Sequence, residues 1–265
     1  MSTVQPIGSI FETDDRGYIV NPASADKIQA KWLPVIEEVK DLYLKHFGTN
    51  LHSVYLRGSV AKGKAIEGIS DIDSFAVVNL KFDEVDMSWR EEAQQELREK
   101  YSFISGVEIG AVPLEEVSGS KGDQIMIKTQ SICLHGDDLA LTIPPFKADA
   151  SLAQHIQGIG REVGQTREWL SEDRNEDQIL RKCSWIMKRL VRSGLELTLD
   201  KSGKYSRDLY PCYQILSEYY PEKKDEMCRA LELAVEPTTD KAIVVELLDS
   251  LGDWIASEAE TVLKK

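Results

Sequence analysis

Residues 53–78 constrain this chain more than any other stretch. Ser53-Val54-Tyr55-Leu56-Arg57 is an apolar, strand-like run that ends on Gly58-Ser59. After an eleven-residue connection, Asp71-Ile72-Asp73 opens a second run, Ser74-Phe75-Ala76-Val77-Val78. Side chains alternate faces along a strand, so carboxylates two apart point the same way. Two carboxylates on one face suit a hard divalent cation. A Gly-Ser turn can offer backbone N–H groups to a phosphate. A glycine there lets the backbone approach closely, because it has no Cβ. The combination reads as a site for a nucleoside triphosphate and magnesium, carried on two strands of one sheet.

A third acid fits the pattern. Glu108 lies in Gly106-Val107-Glu108-Ile109-Gly110-Ala111-Val112, a short β-like run thirty-five residues after Asp73. Leu56-Arg57-Gly58-Ser59, the spacer, Asp71-Ile72-Asp73 and Glu108 together resemble the signature of the DNA polymerase beta nucleotidyltransferase superfamily. Within it, the chain is most similar to bacterial adenylyltransferases of the streptomycin/spectinomycin type, with Arg57 at a permissive position of the motif. The motif covers roughly residues 53–112, and the helical half resembles those enzymes in layout and in scattered residues only.

The resemblance implies transfer of a nucleoside monophosphate, with AMP from ATP as the expected case, to a small-molecule hydroxyl with release of pyrophosphate. Asp71, Asp73 and Glu108 would be the catalytic acids and would hold one or two Mg²⁺ ions. Whether Glu108 ligates metal or takes the acceptor proton stays open. Gly58, Ser59 and Ser70 would face the phosphates. A helical-domain arginine and a later basic residue would reach them too; Arg189 and one of Lys204 or Arg207 fall in comparable places. An aminoglycoside is among the acceptors implied, with Trp169, Asp173 and Asp177 placed to read an aminated sugar. Two other readings compete: modification of a protein or tRNA, and a nucleotide-binding module without catalysis. All three acids being present argues against the last.

Charge bears on the partner. Lys and Arg number 32 against 45 Asp and Glu, a net charge of −13. Nucleic-acid binders show a basic footprint, so this balance weighs against DNA or RNA and toward a cationic small acceptor. No apolar run approaches the ~20 residues of a membrane span, and Met1-Ser2-Thr3-Val4-Gln5-Pro6 shows no secretory pattern. The four cysteines, Cys133, Cys183, Cys212 and Cys228, form no Cys-x-x-Cys pair. Reduced thiols in a cytoplasmic protein are expected. The four histidines lack metal-ligand spacing. Monomer and homodimer are both compatible with the sequence.

The expected fold class is α+β: a short mixed sheet with helices on one side over residues 1–145, then an all-α bundle over 146–265. Pro144-Pro145 marks the boundary. Asp14-Asp15-Arg16-Gly17 reads as a turn between short strands. Residues 24–47 read as a helix that Pro34 would kink. Ser88-Trp89-Arg90-Glu91 reads as a capping box opening a helix to Lys100, and 121–134 as a further helix. Beyond the boundary, helices are expected near 151–171, 177–199, 206–220, 222–235 and 239–263. In the second of these, Ile179, Leu180, Cys183, Ile186, Met187, Leu190 and Val191 form an apolar stripe, opposite a basic face that also carries Trp185.

Overall fold

A computed structural model describes residues 4–264. The first three residues, part of the stretch in which no leader is expected, lie outside that range. The chain divides into two compact units. One runs from Val20 to Phe146. The other joins the segment ending at Ile19 to everything from Lys147 onward, so the opening residues group with the helical part rather than with the sheet.

The first unit begins with two short 3-10 turns and then helix α1, Leu33–Phe47. Pro34 does not kink a longer helix. It sits in the first turn of α1, where a missing N–H costs nothing because no intrahelical acceptor exists there. Strand β1, Leu51–Arg57, follows, then the single-turn helix α2, Gly58–Ala61, and strand β2, Ile72–Val78. Helix α3, Arg90–Lys100, starts after Trp89 with no side-chain cap, so the expected capping box at Ser88 does not form. The backbone N–H of Ser88 instead donates to Asp86 Oδ1 at 2.8 Å. Strand β3 is Val107–Pro113, helix α4 Leu114–Gly119 and helix α5 Lys121–Gln130.

The helix expected over 121–134 is cut short. After α5 the backbone turns extended at Ser131, and Ile132–Gly136 forms strand β4, antiparallel to β1. A four- or five-residue apolar run cannot be assigned by period alone. The sheet order is β3-β2-β1-β4, with β1 antiparallel to β2 and β4, and β2 parallel to β3.

Helices cover both faces of this sheet, not one. Val54, Leu56, Ile72, Ala76 and Val78 face α1 and α3, with Val39, Tyr43, Ala93 and Leu97 packed on them. Tyr55, Phe75 and Val77 point the other way, into a smaller cluster with Val117, Ile127 and Ile143. The second layer reaches only part of its face, and Asp73 lies on that face at the start of β2.

The helical unit contains α6 (Ile159–Ser171), α7 (Glu176–Glu196), α8 (Leu199–Ser202), α9 (Leu209–Tyr219), α10 (Lys224–Val235), α11 (Lys241–Leu247) and α12 (Asp253–Leu263). The expected helix 239–263 is interrupted by one π turn at Leu248–Gly252. The α7 stripe is buried as its spacing requires, apart from Leu180, which is half-buried. Asn175 and Gln178 form a reciprocal capping box at its start. The turn at Asp14–Gly17 closes on itself, flanked by isolated bridges in place of strands: Thr13 to Ile19, and Tyr18 to Lys147. That N-terminal segment is tied down by Ser9 N–H to Asp208 Oδ2 at 2.9 Å, Ser206 Oγ to the Ser9 carbonyl at 2.8 Å, and an edge-on Phe11–Tyr205 contact. No helix among the described residues is long and apolar enough to cross a membrane.

Candidate active site

Strand register alone puts three charged residues in a row. Arg57 pairs opposite Asp73 across β1 and β2, and Asp73 pairs opposite Glu108 across β2 and β3. Residues paired on neighbouring strands point to the same face. The contacts follow from that placement. Arg57 Nη2 is 2.9 Å from Glu108 Oε2 and 3.5 Å from Asp73 Oδ1. The Asp73 side chain is mostly buried, whereas that of Glu108 is 58% exposed, so Glu108 is the more open to solvent of the pair.

The Asp73 and Glu108 carboxyl groups face each other closely enough to interact through a hydrogen bond. Burial and this hydrogen bond push Asp73 up to about 7; the charges of Asp71 and Glu108 add to the rise and Arg57 opposes it. Glu115 and Glu116, which follow Pro113 and read as a loop or helix start, fall in the first turn of α4.

Asp73 and Glu108 share a single guanidinium, and the charge of Asp71 also acts on Asp73, leaving negative charge uncompensated. Their donor atoms are all carboxylate oxygens, which fit Mg²⁺ in kind. Among the described residues, no three His, Cys, Asp or Glu side chains are already gathered into a metal cluster. Asp71 is exposed just ahead of β2, and Arg57 is bonded to the other two acids.

Gly58 is dictated by this arrangement. Its φ is +78°, where L side chains are strained, and a Cβ there would lie 3.0 Å from Asp73 Cγ and closer still to Oδ2. The Asp73 carboxylate occupies the space a side chain at 58 would need. The connection after it is closed by its two serines. Ser59 Oγ donates to Ser70 Oγ at 2.9 Å, and the Ile66 N–H donates to the same Ser70 oxygen at 2.9 Å. Ser105 N–H donates to the Ser70 carbonyl at 3.0 Å, tying the loop to the approach of β3.

A second layer fixes β2 against β3 from the core side. Tyr43 of α1 is fully buried, with its hydroxyl 3.0 Å from Ser74 Oγ, and it accepts from the Gly110 N–H at 3.2 Å. Ser74 Oγ donates to the Glu108 carbonyl at 2.8 Å. Burial holds the Tyr43 phenol far above its ordinary range, so it stays a neutral hydrogen-bonding group. Tyr43→Phe leaves the Gly110 N–H and the Ser74 hydroxyl without this partner. The expected cost is about 2 kcal/mol, read as a lower urea midpoint. Activity is expected to fall by less than about tenfold, because the acids themselves remain.

The basic residues nominated in the helical unit are all engaged there. Arg189 makes a two-pronged pair with Glu162, both contacts at 2.7 Å. Lys204 Nζ lies 3.4 Å from Glu218. Arg207 Nη1 faces His155 Nε2 at 3.2 Å, while His155 Nδ1 is 2.6 Å from Glu196. Buried Glu196 also accepts the backbone N–H groups of His155 and Ile156. Arg192, read in the sequence only as part of a basic face, donates to the Arg207 carbonyl at 3.2 Å. Burial pushes Arg192 down to about 10, with Arg207 and Arg189 adding repulsion. The Trp169 ring already carries two cations of this chain, Arg174 at 4.8 Å and Lys182 at 5.9 Å from its centroid, and Lys182 also sits 4.2 Å from the exposed Trp185 ring. Asp173 and Asp177 are exposed, the latter in the first turn of α7.

Arg57 is the residue the sequence reading passed over. Its signal was present: a charge ending an otherwise apolar strand, in register with the acid that opens the next one.

Residues 35–132, which carry this strand–turn–strand and its row of acids, match the nucleotidyltransferase domain family. No curated protein sequence matches the chain. One solved structure similar to it is spectinomycin adenyltransferase AAD(9) from Enterococcus faecialis, crystallised with ATP and spectinomycin. That protein is 14% identical, with a TM-score of 0.49; the match covers 84% of this chain and 98% of the other.

Proposed function

We propose that this protein transfers a nucleoside monophosphate, AMP from ATP, to a hydroxyl of a small cationic acceptor of the aminoglycoside type. The observation that carries the transferase reading is the row Arg57–Asp73–Glu108 beside Gly58, in the domain matched by the nucleotidyltransferase family. The acceptor oxygen attacks the α-phosphorus; the bond from that phosphorus to the bridging oxygen breaks, and pyrophosphate leaves. Reactions of this kind need positioning and charge neutralisation more than covalent chemistry from the protein.

Asp71, Asp73 and Glu108 are the proposed metal-holding acids. Mg²⁺ bound there would neutralise phosphate charge in the displacement. Glu108, the most exposed of the paired acids, is the proposed acceptor of the hydroxyl proton. Gly58 leaves room for backbone near the phosphates, and Ser59 and Ser70 hold the connecting loop closed. Arg189, Lys204 and Arg207 are proposed to add positive charge toward the triphosphate, with Arg189 the least available because Glu162 already neutralises it. Trp169, Asp173 and Asp177 are the proposed acceptor contacts. A cationic acceptor would there replace Arg174 or Lys182 over the ring.

Purified protein with Mg²⁺, each of the four NTPs and a panel of aminoglycosides tests this, with pyrophosphate release as the readout. Release that requires ATP together with streptomycin or spectinomycin supports the proposal. Release without a small acceptor, with label on protein or tRNA, would replace the acceptor class. No release and no nucleotide binding would remove the transferase reading altogether.

A further inference from the structure

The geometry points to Arg57 as a built-in counter-cation that a divalent metal must displace from the Asp73–Glu108 pair. This rests on the metal-holding role proposed above for those acids. Three observations carry it. First, the position is fixed by the backbone: Arg57 ends β1 directly opposite Asp73, which is directly opposite Glu108. Secondly, one guanidinium nitrogen reaches both carboxylates, at 2.9 and 3.5 Å, so it occupies the electrostatic position between them that a metal ion would take. Thirdly, the Arg57 side chain is 29% exposed, so it has an open direction in which to leave.

Without a cation, two adjacent carboxylates repel each other, and one is mostly buried. Arg57 relieves that repulsion in the empty protein. A metal entering the pair meets a resident positive charge and two oxygens already bonded to it, so its apparent affinity falls by the competition. A guanidinium so released can bond phosphate oxygens in its planar, two-donor geometry. Metal and triphosphate binding are therefore coupled, because the phosphates hold the arginine away from the acids. Coupling of this kind is reciprocal between the two ligands.

The test is Mn²⁺ titration of the intact, nucleotide-free protein, with free Mn²⁺ read by electron paramagnetic resonance. Arg57→Met keeps the apolar stem and removes the charge; Arg57→Lys keeps the charge on a narrower head. Asp73→Asn serves as the control that removes the site. Thermal melts check that each variant is folded. The expected result is Mn²⁺ binding at least about fivefold tighter in Arg57→Met than in the parent, with Arg57→Lys close to the parent. Adding a non-hydrolysable ATP analogue is expected to tighten Mn²⁺ binding much more in the parent than in Arg57→Met. Equal or weaker binding in a folded Arg57→Met overturns the inference while leaving the metal site standing. Failure of the parent and of both arginine variants to bind Mn²⁺ overturns the inference together with the metal site it rests on.

Discussion

Asp73→Asn is expected to lose transfer activity by about a thousandfold or more while leaving the protein at least as stable as the parent. The two effects have one cause. Asp73 is the mostly buried member of a group of acids that one guanidinium cannot neutralise. In the metal-free protein its charge opposes Glu108 and Asp71, so converting it to an amide removes repulsion. The amide still fits beside Gly58 and can still donate to Glu108. It cannot serve as a charged ligand to a divalent cation. Stability gained at the expense of activity marks a site held under electrostatic tension, whereas a merely structural carboxylate would lose stability on the same change. Pyrophosphate release at saturating substrate and the melting temperature of the metal-free protein are the two measurements. A variant that melts well below the parent, with activity lost only in proportion, would place Asp73 in the scaffold and not in the chemistry. Glu108→Gln is a useful companion, because the more exposed acid contributes less to the tension and its change should leave the melting temperature nearly unmoved.

The site was legible in the sequence because its spacing is covalent. Asp71 and Asp73 stand two apart where β2 opens, and an apolar strand on either side of the Gly58-Ser59 connection leaves few ways to fold it. Glu108 could be nominated from a short β-like run, but that it stands opposite Asp73 depends on the parallel register of β2 and β3, which no local pattern encodes. Arg57 was missed for the same reason: its partners lie 16 and 51 positions away, a relation fixed by pairing and not by spacing. Edges of elements show the limit on a smaller scale. Pro34 looked like a flaw inside a helix because the two 3-10 turns before it carry helix-like apolar spacing, with Ile28 and Trp32 at the right interval. Strand β4 was read as the tail of α5 because Ile132, Cys133 and Leu134 are too few to show a period of two. In the helical unit the α7 stripe was legible almost residue by residue, since a 21-residue amphipathic helix repeats its pattern often enough to fix its face. What the basic side of that helix does was not, because Arg189 and Arg192 differ only in which neighbours they meet: Glu162 for one, a backbone carbonyl for the other.

Gly58→Ala separates the fold's demand on that glycine from the site's. Two terms act together. A Cβ at φ +78° is strained by about 1–2 kcal/mol wherever it occurs. Here it would also press on the Asp73 carboxylate, whose Cγ lies 3.0 Å from the Cβ position. The single variant is therefore expected to lose about 3 kcal/mol of stability and nearly all activity, since Asp73 must move to make room. The second term shrinks when Asp73 is truncated to alanine, which removes the carboxylate and leaves only its Cβ, 3.2 Å from the Cβ position at 58. In an Asp73→Ala background the same glycine substitution should cost little beyond the backbone strain, giving a coupling of about 1–2 kcal/mol between positions 58 and 73 in a double-mutant cycle. Urea unfolding of the four proteins supplies the numbers. Additive losses would mean that the glycine serves the turn alone; coupling of that size would mean that the turn and the acid were selected as one unit, with the Gly-Ser bend shaped around the carboxylate it has to carry.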